Sequence, residues 1–359
     1  MKVLGIESSC DETAAAVVED GYRLLSNVVN SQIDIHTQYG GVVPEVAARS
    51  HLEVVEAVIE KALKDASLDW DGIDAIAVTY APGLIGSLLI GTLAARTLAL
   101  LKNKPLYPIH HVEAHVYANF LTEQSPSLSL VMPSKQPAFP VLALIVSGGH
   151  SQLVLFKGHG DYELLGQTQD DAVGEAFDKV AKIIGLPYPG GPSIATAALS
   201  GDPNAYIFPK AKLNGKYDYS FSGLKTAVLR RVQKECTVPY DFPSTQLSGL
   251  LNASQRNDFA ASFQKTAIET LIDKVEGAYR DFSPASVVIA GGVAANALLR
   301  SELSRRLPLP IEYAPTTLCT DNAAMIAALG YYYAQGNQPT DPRSLDVVPS
   351  LSMRQTAWA

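Results

Sequence analysis

Cysteine is scarce in this chain: Cys10, Cys236 and Cys319 are the only three in 359 residues, far apart and odd in number. That excludes a disulfide framework and a zinc ribbon, and a reducing, cytoplasmic setting is expected. Charge is scarce as well, at 18% of residues, and has no basic excess: 28 Lys and Arg stand against 36 Asp and Glu, a net of −8. A nucleic-acid coat protein or a polybasic membrane binder is excluded, although a local basic groove is not. No G-x-x-x-x-G-K-[ST] occurs, no G-x-G-x-x-G leads from a strand into a helix, and no G-x-S-x-G elbow is present. A P-loop, a simple dinucleotide fold and an esterase-type serine are therefore set aside. The opening MKVLGIESSCDE has too short an apolar run for a signal peptide. The longest apolar stretch, 84–101, is interrupted by Arg96 and reads as a buried helix rather than a membrane span.

What remains is a chain that is 47% apolar and long enough for two domains of α/β type. Residues 3–6 and 13–18 read as a hairpin with a polar tip, Glu7 to Glu12. Residues 141–146 and 152–156 repeat that pattern around Ser147-Gly148-Gly149-His150. A recurring hairpin at the head of each half points to internal duplication, on pattern alone. The Pro- and Ser-rich stretch 122–140 is the expected linker or insertion between a lobe over 1–121 and one over 141–320. A helix over 321–335 is expected to close back on the first lobe, and 336–359 is expected as a loosely wrapped tail. Residues 237–257 read as a polar loop, followed by a helix from Phe259.

Several residues could carry chemistry. Small residues at the tip Ser147 to Gly149 leave backbone N–H groups open to an anion, as an ordinary Gly-Gly turn also would. Gly291-Gly292 sits between a strand and a helix, where orphan N–H groups favour phosphate. His111 and His115 in HHVEAH stand four apart, on one helix face, within reach of one metal; two unrelated histidines have the same spacing. Glu113 falls on another side of that helix, so the zinc-peptidase signature lacks its base. Asp321, at the expected start of the last helix, offers either a third ligand or simple N-terminal stabilisation. Two histidines and a carboxylate suit Fe(II) or Zn(II). Asp11 and Glu12 place adjacent carboxylates on the first tip, and Asp178 could accept from a ribose hydroxyl.

Nine motifs then stand in order along almost the whole chain: GIESSCDET, YGGVVPEVAARSH, APGLIGSLLIG, HHVEAH, VSGGHSQL, DDAVGEAFDKVAKIIGLPYPGGP, SFSGLKTA, AGGVAANALLR and CTDNAAMIA. On these the chain resembles the tRNA N6-adenosine threonylcarbamoyltransferase (TsaD) family, formerly described as O-sialoglycoprotein endopeptidases. The resemblance implies the actin-like/Hsp70-like ATPase (ASKHA) fold, two duplicated lobes around a nucleotide cleft. It also implies transfer of a threonylcarbamoyl group from threonylcarbamoyl-AMP to N6 of the adenosine 3′ of the anticodon, in tRNAs reading codons that begin with A. His111, His115 and Asp321 match the family's metal ligands, for Fe(II) first and Zn(II) second. Ile145, Val146, Ser147, Gly148, Gly149, Asp178, Gly191 and Asn296 match its substrate and nucleotide contacts, for the adenylate or for ATP. Asp11 or Glu12 is the expected aid to proton removal from N6. The partners implied are tRNA, an inactive paralogue (TsaB) and a small ATPase (TsaE). Lys210, Lys212, Lys216, Arg230 and Arg231 are the candidate tRNA contacts. An ATP-dependent small-molecule kinase on the same fold, a metallopeptidase and a non-catalytic nucleotide-binding subunit are the competing readings.

Overall fold

The computed structural model describes residues 1–311 and 313–355; the last four residues of the expected tail lie outside the described residues. The chain forms two compact units. The first comprises Met1–Val141, Phe156–Glu163 and the described residues from 313 onward; the second comprises Leu142–Leu155 and Leu164–Ile311.

The first unit is built on strands β1 (Lys2–Glu7), β2 (Glu12–Glu19), β3 (Arg23–Ser31), β4 (Ala75–Ala81), β5 (Leu106–His110) and β6 (Glu123–Gln124), in the order β5-β4-β1-β2-β3-β6. β1, β2 and β3 form an antiparallel meander, while β4 joins β1, β5 joins β4 and β6 joins β3 in parallel. β1, β2 and β4 are apolar almost throughout because both faces are covered. Side chains alternate between the faces. Leu4, Ile6, Ile76 and Val78 pack with Val58, Ile59 and Ala62 of helix Pro44–Asp65 and Ala95 and Ala99 of helix Ile85–Lys102. Gly5 and Ala77 face the helix Ala323–Gly336, whose Ala323, Ala327 and Gly330 let its backbone lie close to the sheet.

A second sheet, carried mostly by the second unit, consists of β7 (Val141–Val146), β8 (Ser151–Gly158), β9 (Asp161–Gln167) and β10 (Ser286–Ala290), ordered β10-β7-β8-β9. This repeats the order β4-β1-β2-β3 of the first sheet, so the duplication read from the paired hairpins is present in strand order.

Four expectations are corrected. The segment 122–140 belongs to the first unit: β6 pairs with β3, and the Gln124 side chain bonds both the N–H and the carbonyl of Leu130, at 3.0 and 2.8 Å. The stretch 237–257 is not all loop. Helix Ser244–Leu247 interrupts it, and the long helix begins at Ala253, where Asn252 and Gln255 cap one another reciprocally. The tail is fastened rather than loose: Arg96 donates to the carbonyls of Pro342 and Arg343, Val348 N–H to Tyr80, and Leu345 is buried in the core. Finally, helix Ile85–Lys102 is only one-third buried, not the buried helix expected; it passes for a membrane span by length and composition alone. Ser87, Leu88, Gly91 and Ala95 face inward, while Ile85, Leu93 and Leu101 stand exposed.

Candidate metal centre and phosphate cradle

The tip between β1 and β2 is held from several directions at once. Gly83 and Gly91 lack the Cβ that would come within 2.5 Å of Ser9 O and 2.3 Å of Ser8 Oγ, so the Ala-Pro-Gly turn and the helix after it approach the tip directly. Ser8 Oγ donates to Ser87 O and Ser87 Oγ donates to Cys10 O. His51, at the end of the second motif, lies 2.9 Å from Cys10 O through Nε2 and 2.7 Å from Thr13 Oγ1 through Nδ1. Three motifs far apart in sequence thus fix one turn.

Beside this turn the helix His111–Tyr117 follows β5 directly. His110 caps it: its Nδ1 accepts from Glu113 N–H at 3.4 Å, and its Nε2 donates to Leu351 O of the tail at 3.1 Å. Burial pushes the His110 imidazole down to about 4, which keeps it neutral and fit to accept. His111 and His115, one turn apart, are 6% and 1% exposed. Their Nε2 atoms lie 3.5 and 3.3 Å from the same oxygen of Asp321. One ligand atom from each of the three lies within 4.8 Å of the other two. Asp321 does not open the last helix as expected: Asn322 is the N-cap, accepting from Met325 N–H at 3.2 Å, while its amide donates to Leu318 O and Thr320 O. The capping task falls to Asn322, and the Asp321 carboxylate turns to the histidines.

The donor set fits a divalent metal. Both ring nitrogens of His115 are buried without a hydrogen-bond partner among the described residues, a costly arrangement unless an ion takes the lone pair. Two imidazoles and one carboxylate leave coordination positions for substrate oxygens. Burial pushes the His111 imidazole down, but the Glu7 and Asp321 carboxylates outweigh it and bring it up to about 9, as expected where anionic ligands await a cation. Glu113 points elsewhere, with Tyr162 OH 3.5 Å from its Oε2.

Asp11 and Glu12 stand on the same tip. Burial pushes the Glu12 carboxyl up to about 10, with the Asp321 and Asp11 carboxylates pushing the same way and Ser31 Oγ donating to it from 3.2 Å.

The second unit carries the other residues expected to make contacts. At the end of β7, Ser147 N–H bonds His150 O at 2.8 Å and closes the tip, leaving Gly148 and Gly149 exposed with nothing within 4 Å of an added Cβ. Gly174 and Gly291 press against it: a Cβ on either would come within 2.5 Å of the carbonyl of Ser147 or Val146, and Gly291 has φ +86°. Asp178 Oδ1 accepts from Gly190 N–H at 2.7 Å. The close approach there belongs to Gly190, while Gly191 stands in open space. Asn296 caps helix Ala297–Arg306 through its oxygen and donates to Gln264 through its amide.

Of the basic candidates, Lys210 pairs with Glu269 and Asp273, Lys216 with Asp281 and Arg231 with Glu235; Arg230 lies over the Tyr240 ring and donates to Tyr240 O. Each of these four thus has a partner within the protein, and Lys212 is exposed. Sequence reasoning passed over Glu7, Thr79, Gly174 and Gly190. For Glu7 a signal existed, a lone carboxylate directly continuing the apolar run of β1.

A family model described as tRNA N6-adenosine threonylcarbamoyltransferase matches residues 23–328. The chain is 51% identical to the protein of that name from Thermomicrobium roseum, covering 98% of this chain and 97% of the other. It is 49% identical to the one from Symbiobacterium thermophilum, over 98% and 96% of the two chains. Among solved structures it resembles HypF from T. kodakarensis, with a TM-score of 0.59 at 15% identity, over 93% of this chain and 48% of HypF. A full-length HypF in its phosphate- and nucleotide-bound form gives 0.56 at 13% identity, over 94% and 47%. These likenesses place the chain in the actin-like ATPase fold.

Proposed function

The chain belongs to the tRNA N6-adenosine threonylcarbamoyltransferase family and carries out its tRNA modification, and we propose that His111, His115 and Asp321 hold the divalent metal for that reaction. The observation that carries this is the buried, unpartnered His115 imidazole facing Asp321 beside His111. The two Nε2 atoms and a carboxylate oxygen would bind it, with Fe(II) preferred and Zn(II) the alternative. When bound, the metal would polarise carbonyl and phosphate oxygens of the acyl adenylate.

The protein's own groups supply the rest. The tip Ile145 to Gly149 takes the phosphate of threonylcarbamoyl-AMP on backbone N–H groups, with Gly174 and Gly291 shaping the approach. Asp178, Gly191 and Asn296 line the nucleoside side, where Asp178 and Asn296 act through the backbone they brace. N6 of adenosine attacks the carbamoyl carbon, the bond to the adenylate phosphate breaks and AMP leaves. Asp11 or Glu12, side by side on the first tip, takes the N6 proton. The target base must leave its loop stack to reach these groups. The paralogue and the small ATPase are the proposed partners. In support, the groove of about 540 Å³ between helices Pro44–Asp65 and Ile85–Lys102 is lined by Leu52, Val55, Leu93 and Leu101, an apolar face of the kind protein partners cover.

The test is metal content and uptake by elemental analysis. Wild-type protein should hold about one divalent ion, and His115→Ala and Asp321→Ala should hold none while remaining folded. Retention of a full equivalent by both variants would refute the ligand assignment.

A further inference from the structure

Glu7, at the end of β1, has no solvent exposure. Oε1 of its carboxylate accepts from Ser9 N–H at 2.5 Å, and Oε2 accepts from Thr79 Oγ1 at 2.6 Å. Oε2 also lies 3.0 Å from His111 Nδ1. A buried carboxyl group needs hydrogen-bond partners, and here a backbone N–H and a hydroxyl each donate to one of its two oxygens. With both oxygens already accepting, Glu7 meets His111 as an acceptor too. The shared proton therefore sits on Nδ1 of His111, and Nε2, beside Asp321, is the nitrogen left to exchange its proton for a metal. Ser9 Oγ lies 3.1 Å from the same Nδ1, but a hydroxyl donates or accepts as its neighbour requires and selects no tautomer.

We propose that Glu7 is the positioning residue that fixes His111 in its metal-binding tautomer, its carboxylate clamped by Thr79 and the Ser9 amide. This rests on the reading that His111, His115 and Asp321 hold a metal. Carboxylates behind metal-bound histidines orient the ring and raise its basicity. The geometry gives the proposal a sharp variant. In Glu7→Gln the amide oxygen must serve the Ser9 N–H, which can only donate. The amide NH₂ then faces Thr79 Oγ1, which can accept, and His111 Nδ1, which must now accept. That moves the imidazole proton to Nε2, the atom that would bind metal.

The experiment titrates the metal-stripped full chain with Zn(II) against a chromophoric chelator, and records ¹⁵N–¹H spectra of the His111 ring in the Zn(II)-loaded chain. Glu7→Gln should weaken Zn(II) binding about 10- to 100-fold and lose the His111 Nδ1–H signal, with the far-ultraviolet circular dichroism of the wild type. Thr79→Val keeps the carboxylate but removes one clamp; it should weaken binding less than Glu7→Gln and keep the Nδ1–H signal. It also serves if Glu7→Gln does not fold, and wild-type affinity in it would then overturn the proposal. A folded Glu7→Gln with wild-type affinity and the Nδ1–H signal intact overturns it directly. His111→Ala separates the two readings. If it abolishes Zn(II) binding while Glu7→Gln does not affect it, only the role of Glu7 fails. If it binds Zn(II) like wild type, the metal reading itself fails and takes this one with it.

Discussion

Replacing Gly5 by alanine tests how the last helix delivers Asp321. A Cβ at Gly5 would lie 2.4 Å from the Ala323 carbonyl oxygen and 2.7 Å from the Ala327 nitrogen, where ordinary contact begins at 3.4 Å. Both atoms are helix backbone, so no side chain can swing aside; the helix must retreat by about 1 Å or β1 must buckle. Overpacking costs roughly 1–3 kcal/mol, and a backbone clash puts Gly5→Ala at about 3 kcal/mol. For a unit of this size each kcal/mol shifts Tm by about 2–4 °C, so calorimetry should show a fall of about 6–12 °C. The second consequence is specific to function. Asp321 lies two residues ahead of the helix, and a displacement of about 1 Å exceeds the ~0.5 Å tolerance of a preorganised site, so Zn(II) affinity should fall as well. Gly330→Ala is the control, since its Cβ would meet the Ala77 methyl, at 2.5 Å, two turns further along the same helix. It should cost about 1–2 kcal/mol and leave Zn(II) affinity intact. Wild-type Tm and affinity in Gly5→Ala, or equal loss of affinity in both variants, would refute the reasoning.

Asn322→Ala removes a buried N-cap together with the two bonds that brace 318–322, and should cost about 2 kcal/mol in urea unfolding and weaken metal binding. Burial pushes the Asp171 carboxyl up, but Lys179 and Lys225 at 2.8 and 2.7 Å hold it below its ordinary value. A lowered folded pKa contributes stability above the unfolded value, near 4, and loses it as pH falls further through the folded pKa. Asp171→Asn should therefore be less stable than wild type at pH 7, with the gap closing as urea unfolding is repeated toward pH 2; a gap independent of pH would contradict the assignment. Zn(II) at about 100 times its Kd should stabilise the metal-free chain by about 2.7 kcal/mol, a chelator should reverse this, and His111→Ala should show no shift.

The parts of this molecule legible in its sequence are those set by local pattern or by motif. The paired hairpins, the i, i+4 histidines and the Gly-rich tips are where the structure has them, because period-2 alternation and small residues at turns are local facts. The long helix beginning at Ala253 was legible too, since Asn252-x-x-Gln255 is a capping box, but the polar run around it masked the signal. Other features arise only on folding. Arg23–Ser31 has weak alternation and becomes a strand because β2 offers it an edge. Asp321 reads as a helix cap until Asn322 is seen to do that work. Glu7 reads as part of a solvated turn, whereas Thr79 and His111, 72 and 104 residues away, complete its environment. The ion pair of Lys210 with Asp273, 63 residues on, is likewise invisible in the sequence, whereas that of Arg231 with Glu235 is an i, i+4 pair.

The most direct test of the central claim is mass spectrometry of nucleosides from unmodified tRNA incubated with the protein, threonylcarbamoyl-AMP and the two partner proteins. Threonylcarbamoyladenosine should appear with wild type and be absent with folded His111→Ala. No product from the intact, partner-bound wild type, or equal product from the variant, would contradict the account.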